Sequence, residues 1–170
     1  MRIQKLNEQE LTRAHEIDVS ESNNVLYRYV DGILQTTEEP WTRPRWTAEK
    51  WQQRLQRWQA TLHPDLFLGA FIDEQLAGLA SLRYQLTDTM AQLTTLHVSR
   101  AYRRQGVATA LVQEVVRLVK AQGAQMLYVS ASESTSAVNF YLSQGFQPTD
   151  SPDPVLFALE PNDIHMVMPL

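Results

Sequence analysis

The N-terminal part of the chain combines an alternating stretch with two stretches of helical spacing. Residues 2–6 alternate and predict a short strand. Residues 7–22 predict a helix, because Asn7 and Glu10 form a capping-box pattern ahead of apolar positions at helical spacing. A second helix is predicted to begin near Thr47. Its apolar face carries Trp51, Leu55, Trp58 and Leu62.

Residues 23–46 keep neither period and are predicted to be irregular. The segment contains Pro40 and Pro44, which interrupt regular structure. Its one local signal is Asp31-Gly32 between apolar stretches, which is typical of a hairpin turn.

From residue 66 onward, short apolar runs alternate with helical spacing. Strands are predicted over residues 66–73, 75–86 and 90–99. A helix follows, with its apolar side formed by Val107, Leu111, Val115, Leu118 and Val119. The later elements are predicted as a buried strand over 125–132, a helix over 134–145, and strands beginning at 146 and covering 155–160 and 163–168.

This order of elements predicts an α+β fold with a mostly antiparallel sheet and one local parallel step. The 170 residues fit a single domain with a real core. A net charge of -4 offers no basic field for nucleic acid or an anionic membrane. The absence of cysteine excludes disulfides, thiolate zinc sites and a cysteine nucleophile. No apolar run approaches the roughly 20 residues of a membrane span, so we expect a cytoplasmic protein.

The stretch "SRAYRRQGVATALV", residues 99–112, places Arg100, Arg103 and Arg104 where a helix begins. Basic residues are unfavourable at the positive end of a helix, so a bound anion would explain them. Gly106 lets a ligand approach the backbone closely. The alternative is a solvated basic helix cap. The stretch matches neither G-x-x-x-x-G-K-[ST] nor G-x-G-x-x-G.

Residues 103–108 also fit R/Q-x-x-G-x-G/A, and the stretch resembles the acyl-CoA-binding motif of the GNAT superfamily of N-acetyltransferases. "SAVNFYLSQGF" resembles that superfamily's second motif, with matches at Asn139, Tyr141, Gly145 and Phe146. The two motifs together cover about residues 66–147. The closing "LFALEPNDIHMVMPL" is similar to a bacterial subgroup that includes streptothricin-acetyltransferase-like proteins.

The resemblance implies a GNAT-like sheet whose central strands splay apart around acetyl-CoA, the co-substrate, with no metal. It divides the domain into acceptor-side helices and loop (1–65), an acyl-CoA-binding core (66–147) and C-terminal strands (148–170). The implied cofactor-binding residues are Leu96, His97, Val98, Arg103, Arg104, Gln105, Gly106, Val107, Ala108, Thr109, Asn139 and Tyr141. Within that set, the Val98 N–H would hold the developing oxyanion and Asn139 would bond the pantetheine arm.

The resemblance makes Tyr141 the general acid that protonates the departing thiolate, since a phenol is protonated at neutral pH. The alternative for Tyr141 is that its ring packs on the helix face. The general base is open, because the strand carrying Leu96 lacks the glutamate that many relatives have. Candidates are His97, or a water chain leading to Glu21, Glu133 or Asp163. Acceptor contacts are expected from Glu21, Tyr27 and Asp163.

The leading hypothesis is an acetyl-CoA-dependent N-acetyltransferase acting on a primary amine of a small molecule, such as an amino-bearing antibiotic or metabolite. Two alternatives are a non-catalytic acyl-CoA-binding module and a protein or peptide N-acetyltransferase. The expected partner is therefore a small-molecule amine, with no nucleic acid and no membrane. Homodimerisation is common in the family and stays open.

Overall fold

The computed structural model describes residues 1–170, which form nine strands and five α-helices. The strands are β1 (Arg2–Lys5), β2 (Glu21–Val30), β3 (Ile33–Arg43), β4 (Leu66–Ile72), β5 (Gln75–Arg83), β6 (Met90–Val98), β7 (Met126–Ala131), β8 (Gln147–Pro148) and β9 (Ile164–Pro169). The helices are α1 (Glu8–Leu11), α2 (Ala48–Leu62), α3 (Val107–Ala121), α4 (Thr135–Ser143) and α5 (Pro154–Leu159). No helix is both long enough and apolar enough to span a bilayer.

Seven strands form one sheet in the order β1-β4-β5-β6-β7-β9-β8, which confirms the predicted α+β class. Every neighbouring pair is antiparallel except β6 and β7. Those two strands pair only where residues 90–92 meet residues 126–128. Beyond that point they share no pairing, so a cleft opens between residues 93–98 and residues 129–131, as the resemblance implies.

The two faces of the sheet carry separate cores, because successive strand residues point to opposite faces. On one face, α1 and α2 cover a cluster that includes Leu11, Trp51 and Leu79. On the other face, α3 and α4 cover a larger cluster that includes Leu111 and Tyr141. Both cores approach the cleft, so either face can supply side chains to it.

The helix predicted over residues 7–22 is too long. The capping box of Asn7 and Glu10 is present, but α1 ends at Leu11 and a 3₁₀ helix covers Thr12–Glu16. Ile17 and Val19 are both buried, and this period of two matches an extended chain. Burial of these two side chains therefore overrides the helical pattern.

Residues 23–46 are largely regular, contrary to the prediction, because β2 and β3 form a long two-stranded hairpin. The predicted turn is correct: Asp31 and Gly32 have φ of 52° and 76°, the left-handed values that a type I′ turn requires. Most of β3 is exposed, so its sequence carries no alternation of buried and exposed positions.

The strand predicted over residues 155–160 is absent, and α5 occupies Pro154–Leu159 instead. Asp153 caps this helix by accepting the backbone N–H groups of Val155 and Leu156, both at 3.0 Å. Pro154 follows at the first helical position, where its fixed φ favours a helix. The other predicted elements are present with small shifts at their ends.

Candidate active site

One cavity of about 560 Å³ fills the cleft between β6 and β7. It extends from the N-terminus of α3 to α2 and the turn at residues 160–163. Tyr141 and Asp163 both line it, as do Val98 and Gly106. The cavity therefore joins the predicted anion site to the predicted catalytic groups.

The N-terminus of α3 is open for an anion. Gly106 is its N-cap with φ of 82°, and no side chain accepts a hydrogen bond there. The first backbone donor satisfied is Ala110, which bonds the Gly106 carbonyl at 2.9 Å. A methyl group placed on Gly106 would meet nothing within 4 Å, so the loop has room for a ligand. The free N–H groups and the helix dipole together suit a phosphate.

The edge of β6 that faces the cleft presents alternate backbone groups. The Ser99 N–H donates to the Ala77 carbonyl of the neighbouring strand β5, so Val98 and Leu96 point their N–H and C=O groups the other way, towards the cleft. Arg103 confirms this direction, since its Nε donates to the Val98 carbonyl at 3.3 Å. The backbone of His97 faces β5, so its predicted backbone contact with the arm gains no support and stays a prediction.

Tyr141 lies on α4, 6% exposed, between the cavity and the core. Its ring packs against Phe140 and Phe146, while its hydroxyl forms no hydrogen bond within the chain. Burial raises the pKa of this phenol above its ordinary value, and the nearby charge of Asp163 adds to the effect. The phenol is therefore protonated at neutral pH, as a general acid must be.

Asp163 is the one cavity-lining carboxylate without an ion-pair partner. Burial raises its pKa from 3.8 to about 7, with smaller contributions from Glu160 and Glu133. A carboxylate that titrates near neutral pH is well matched to general-base chemistry.

A buried hydrogen-bond chain supports the turn that carries Asp163. The Tyr128 hydroxyl donates to Nδ1 of His165 at 2.6 Å, and the His165 Nε2–H donates to the Glu160 carbonyl at 3.1 Å. Burial lowers the pKa of His165, which keeps the ring neutral and both bonds intact. His165 therefore holds the turn and does not line the cavity.

His97 is a poor base in this environment. Its ring packs among Trp46, Trp51 and Trp58, with centroid distances of 5.2–5.5 Å. Burial lowers its pKa to about 3, helped by the nearby guanidinium groups of α2 and neighbouring segments. Such an imidazole holds a proton weakly, so the geometry favours a packing role.

The other two carboxylate candidates are already paired. Glu21 lies in the cavity wall, 2.9 Å from Arg43 and 3.9 Å from Arg103, and it accepts a hydrogen bond from Ser136. The remaining candidate, Glu133, forms an ion pair with Arg28 at 2.6 Å and does not line the cavity.

Three predicted site residues lie outside the cavity wall. Tyr27 donates its hydroxyl hydrogen to Oδ1 of Asn139 at 2.8 Å, which joins β2 to α4. Gln105 donates its side-chain amide to the Ala101 carbonyl at 2.8 Å. The predicted contacts of Tyr27 with an acceptor and of Asn139 with the pantetheine arm therefore gain no support. The other predicted cofactor-binding residues line the cavity.

Sequence reasoning missed Arg54 on α2, which lines the cavity. Its guanidinium lies over the ring of Trp46, 5.1 Å from the centroid, and its Nε is buried without a hydrogen-bond partner. A signal was present, because Arg54 falls three residues after Trp51 and four before Trp58, on the apolar face of the helix. A charge on such a face is a candidate for a functional role.

A family model for the acetyltransferase (GNAT) family matches residues 30–146, more than half of the chain. The chain belongs to the acetyltransferase (GNAT) family. This assignment confirms the resemblance derived from the two motifs and the acyltransferase class, whose acyl donor is acetyl-CoA. No three His, Asp or Glu side chains lie together in a way that could hold a metal ion.

Known proteins similar to this acetyltransferase-family chain agree with the assignment. The solved structure of nourseothricin acetyltransferase has a TM-score of 0.75, with 19% identity over 99% of this chain and 97% of the other. PaiA N-acetyltransferase from Thermoplasma acidophilum, in complex with coenzyme A, has a TM-score of 0.53, with 25% identity over 72% of this chain and 71% of the other. N-acetyltransferase 8 of Rattus norvegicus is 35% identical over 82 residues, which is 46% of this chain and only 37% of that relative.

Proposed function

We propose that this protein transfers an acetyl group from acetyl-CoA to a primary amine of a small molecule. The observation that carries the proposal is the cavity that joins the uncapped N-terminus of α3 to the free hydroxyl of Tyr141 and the unpaired carboxylate of Asp163. One end suits a diphosphate and the other end holds an acid and a base.

In the proposed complex, the N–H groups of the α3 N-terminus bind the pyrophosphate, and Arg103 and Arg104 add positive charge. The pantetheine arm lies along β6, where Leu96 and Val98 present their backbone groups to the cleft. The thioester carbonyl then accepts the Val98 N–H, a contact of about 3–4 kcal/mol if it acts as other oxyanion-hole donors do.

The reaction begins when Asp163 takes a proton from the ammonium group of the acceptor and passes it to solvent. The free amine attacks the thioester carbon, and a C–N bond forms. The C–S bond breaks as the tetrahedral intermediate collapses, and Tyr141 donates its proton to the departing thiolate. The second nitrogen proton leaves and restores Tyr141 through solvent. The products are an amide, free coenzyme A and one proton.

A small acceptor fits this cavity better than a polypeptide chain. Arg57 of α2 and Glu160 form an ion pair at 3.3 Å, which links the two walls at the acceptor end. Nourseothricin acetyltransferase, one of the structures that match almost the whole chain and the one with a TM-score of 0.75, is named for nourseothricin as its acceptor. We therefore place small amines ahead of protein N-termini. A cytoplasmic location and a homodimer stay predictions.

The experiment combines ligand binding with turnover. Acetyl-CoA should raise the melting temperature of the protein, because it binds only the folded state. A panel of small amines and peptides is then screened for release of free coenzyme A. Tyr141→Phe should lower kcat about 10²–10⁴-fold, because the general acid is lost. Tyr84→Phe is the matched control, since Tyr84 lies outside the cavity.

Each outcome bears on a different alternative. Binding of acetyl-CoA without release of coenzyme A by any amine would favour a non-catalytic acyl-CoA-binding module. Peptides as the better acceptors would favour a protein N-acetyltransferase. Equal rates for Tyr141→Phe and the native protein would show that Tyr141 is not the general acid and that its ring only packs in the core.

A further inference from the structure

Arg54 is a half-buried cation without a hydrogen-bond or ion-pair partner in the chain. Its Nε is shielded from solvent and unbonded, and its guanidinium forms no hydrogen bond or ion pair with the chain. Its only partner of note is the face of Trp46. Leaving a buried polar group unsatisfied is costly, so a partner supplied by a ligand would remove that cost.

The charges at the acceptor end of the cavity can be sorted by pairing, apart from Arg103 and Arg104 at the α3 end. The paired ones are Arg43 with Glu21 at 2.9 Å and Arg57 with Glu160 at 3.3 Å. One cation, Arg54, and one carboxylate, Asp163, remain. They do not pair with each other, although both line the same cavity.

The ion pair between Arg57 and Glu160 fixes where these two groups lie. Arg57 is one helical turn after Arg54 on α2, and Glu160 is three residues before Asp163 in the turn. The bridge therefore holds the segment bearing the free cation close to the segment bearing the free carboxylate. A ligand in the cavity meets one charge of each sign.

We infer that the acceptor is an amino acid or a closely related amine, whose carboxylate binds Arg54 while its amino group lies at Asp163. This inference rests on the proposed function and narrows its substrate class. Trp46, which lies beneath Arg54, and Trp58 offer apolar surface for the acceptor's side chain. A guanidinium can bind a carboxylate through two parallel hydrogen bonds, which would also fix the acceptor's orientation.

The test compares matched pairs of acceptors that differ only in the carboxylate. Each common amino acid is assayed beside its decarboxylated amine and its methyl ester, with release of coenzyme A as the measurement. Hydrogen bonds to charged groups predict a preference of about 10- to 100-fold in kcat/KM for the best amino acid over its partners. Equal or better turnover of the decarboxylated amines by the native protein would overturn the inference.

Variants of α2 then assign the preference to Arg54. Arg54→Met should remove most of the preference for the amino acid, mainly by raising the KM of the amino acid. Arg54→Lys should restore part of that preference, because it returns the positive charge. Lys50→Met is the control, because it removes an equal charge from an exposed position of the same helix. An Arg54→Met protein that keeps the preference would also overturn the inference.

A binding measurement separates this inference from the proposed function. Amino acids are added to the protein saturated with coenzyme A, and the melting temperature is recorded. A stabilisation that needs the carboxylate and disappears in Arg54→Met would support carboxylate binding at Arg54. If no turnover accompanied it, only the proposed transferase function would be contradicted. Turnover of amines with no such stabilisation would support the transferase and refute the role of Arg54.

Discussion

Replacing Asp163 with asparagine should stabilise the protein at alkaline pH while it removes the general base. Burial raises the pKa of this carboxyl from 3.8 to about 7, so the folded state holds its proton more tightly than the unfolded chain does. Stability is therefore lost as the pH rises from the unfolded value towards the folded one. The total loss is about 4 kcal/mol above pH 7, because each unit of pKa difference corresponds to about 1.4 kcal/mol.

The amide in Asp163→Asn cannot ionise, so the variant avoids this loss. Linkage predicts a stability advantage over the native protein that grows by about 2–3 kcal/mol between about pH 5 and pH 8. Urea unfolding at the two pH values measures it by linear extrapolation. Asp88→Asn serves as the control, because Asp88 is exposed and forms no ion pair.

Activity should move in the opposite direction. In the native protein, kcat/KM should rise with pH through about 7 as Asp163 ionises. Asp163→Asn should lose this dependence and fall about 10²–10⁴-fold in rate. The reasoning is refuted if the stability difference does not change with pH, or if the same rise in kcat/KM persists in the variant.

Two further substitutions test the α3 site and the cap of α5. Gly106→Ala should cost about 1–2 kcal/mol of stability, because the residue has a left-handed φ, and it should weaken acetyl-CoA binding. Gly123→Ala is the control, since Gly123 has a φ of 86° and equally open space. It should cost the same stability and leave acetyl-CoA binding unchanged. Similar binding losses in a titration of both variants would argue against the phosphate site. Asp153→Ala should lower the free energy of unfolding by about 0.5–2 kcal/mol, because the N–H groups of Val155 and Leu156 lose their acceptor. An unchanged urea midpoint would mean that the cap contributes nothing.

The fold was most predictable where side-chain burial imposes a period. β4, β5 and β6 lie within one to three residues of their predicted ends, because their apolar positions are buried against α3 or α2. The exposed strand β3 has no such period, so only its turn could be predicted. α5 was missed because a short apolar run has no period of its own.

The site was predictable only in part, for a related reason. The motifs point to Gly106, Tyr141 and Val98, and all three line the cavity, because each motif is local in sequence. Which carboxylate stays unpaired depends on contacts between distant residues, such as Arg43 with Glu21. No spacing along the chain reveals that Asp163 lacks a partner while Glu21 has two.

Three groups without partners face the same cavity in this molecule, and their position around it is the best argument for a ligand. Four of the five helices have a side-chain cap, supplied by Asn7, Thr47, Ser134 and Asp153. Only α3 has none, and its open end faces the cavity that also holds the unpaired Arg54 and Asp163. The free-energy cost of leaving these three groups unsatisfied around one cavity is expected to be recovered when a ligand binds there. The diphosphate of acetyl-CoA, a carboxylate and an amine would satisfy all three.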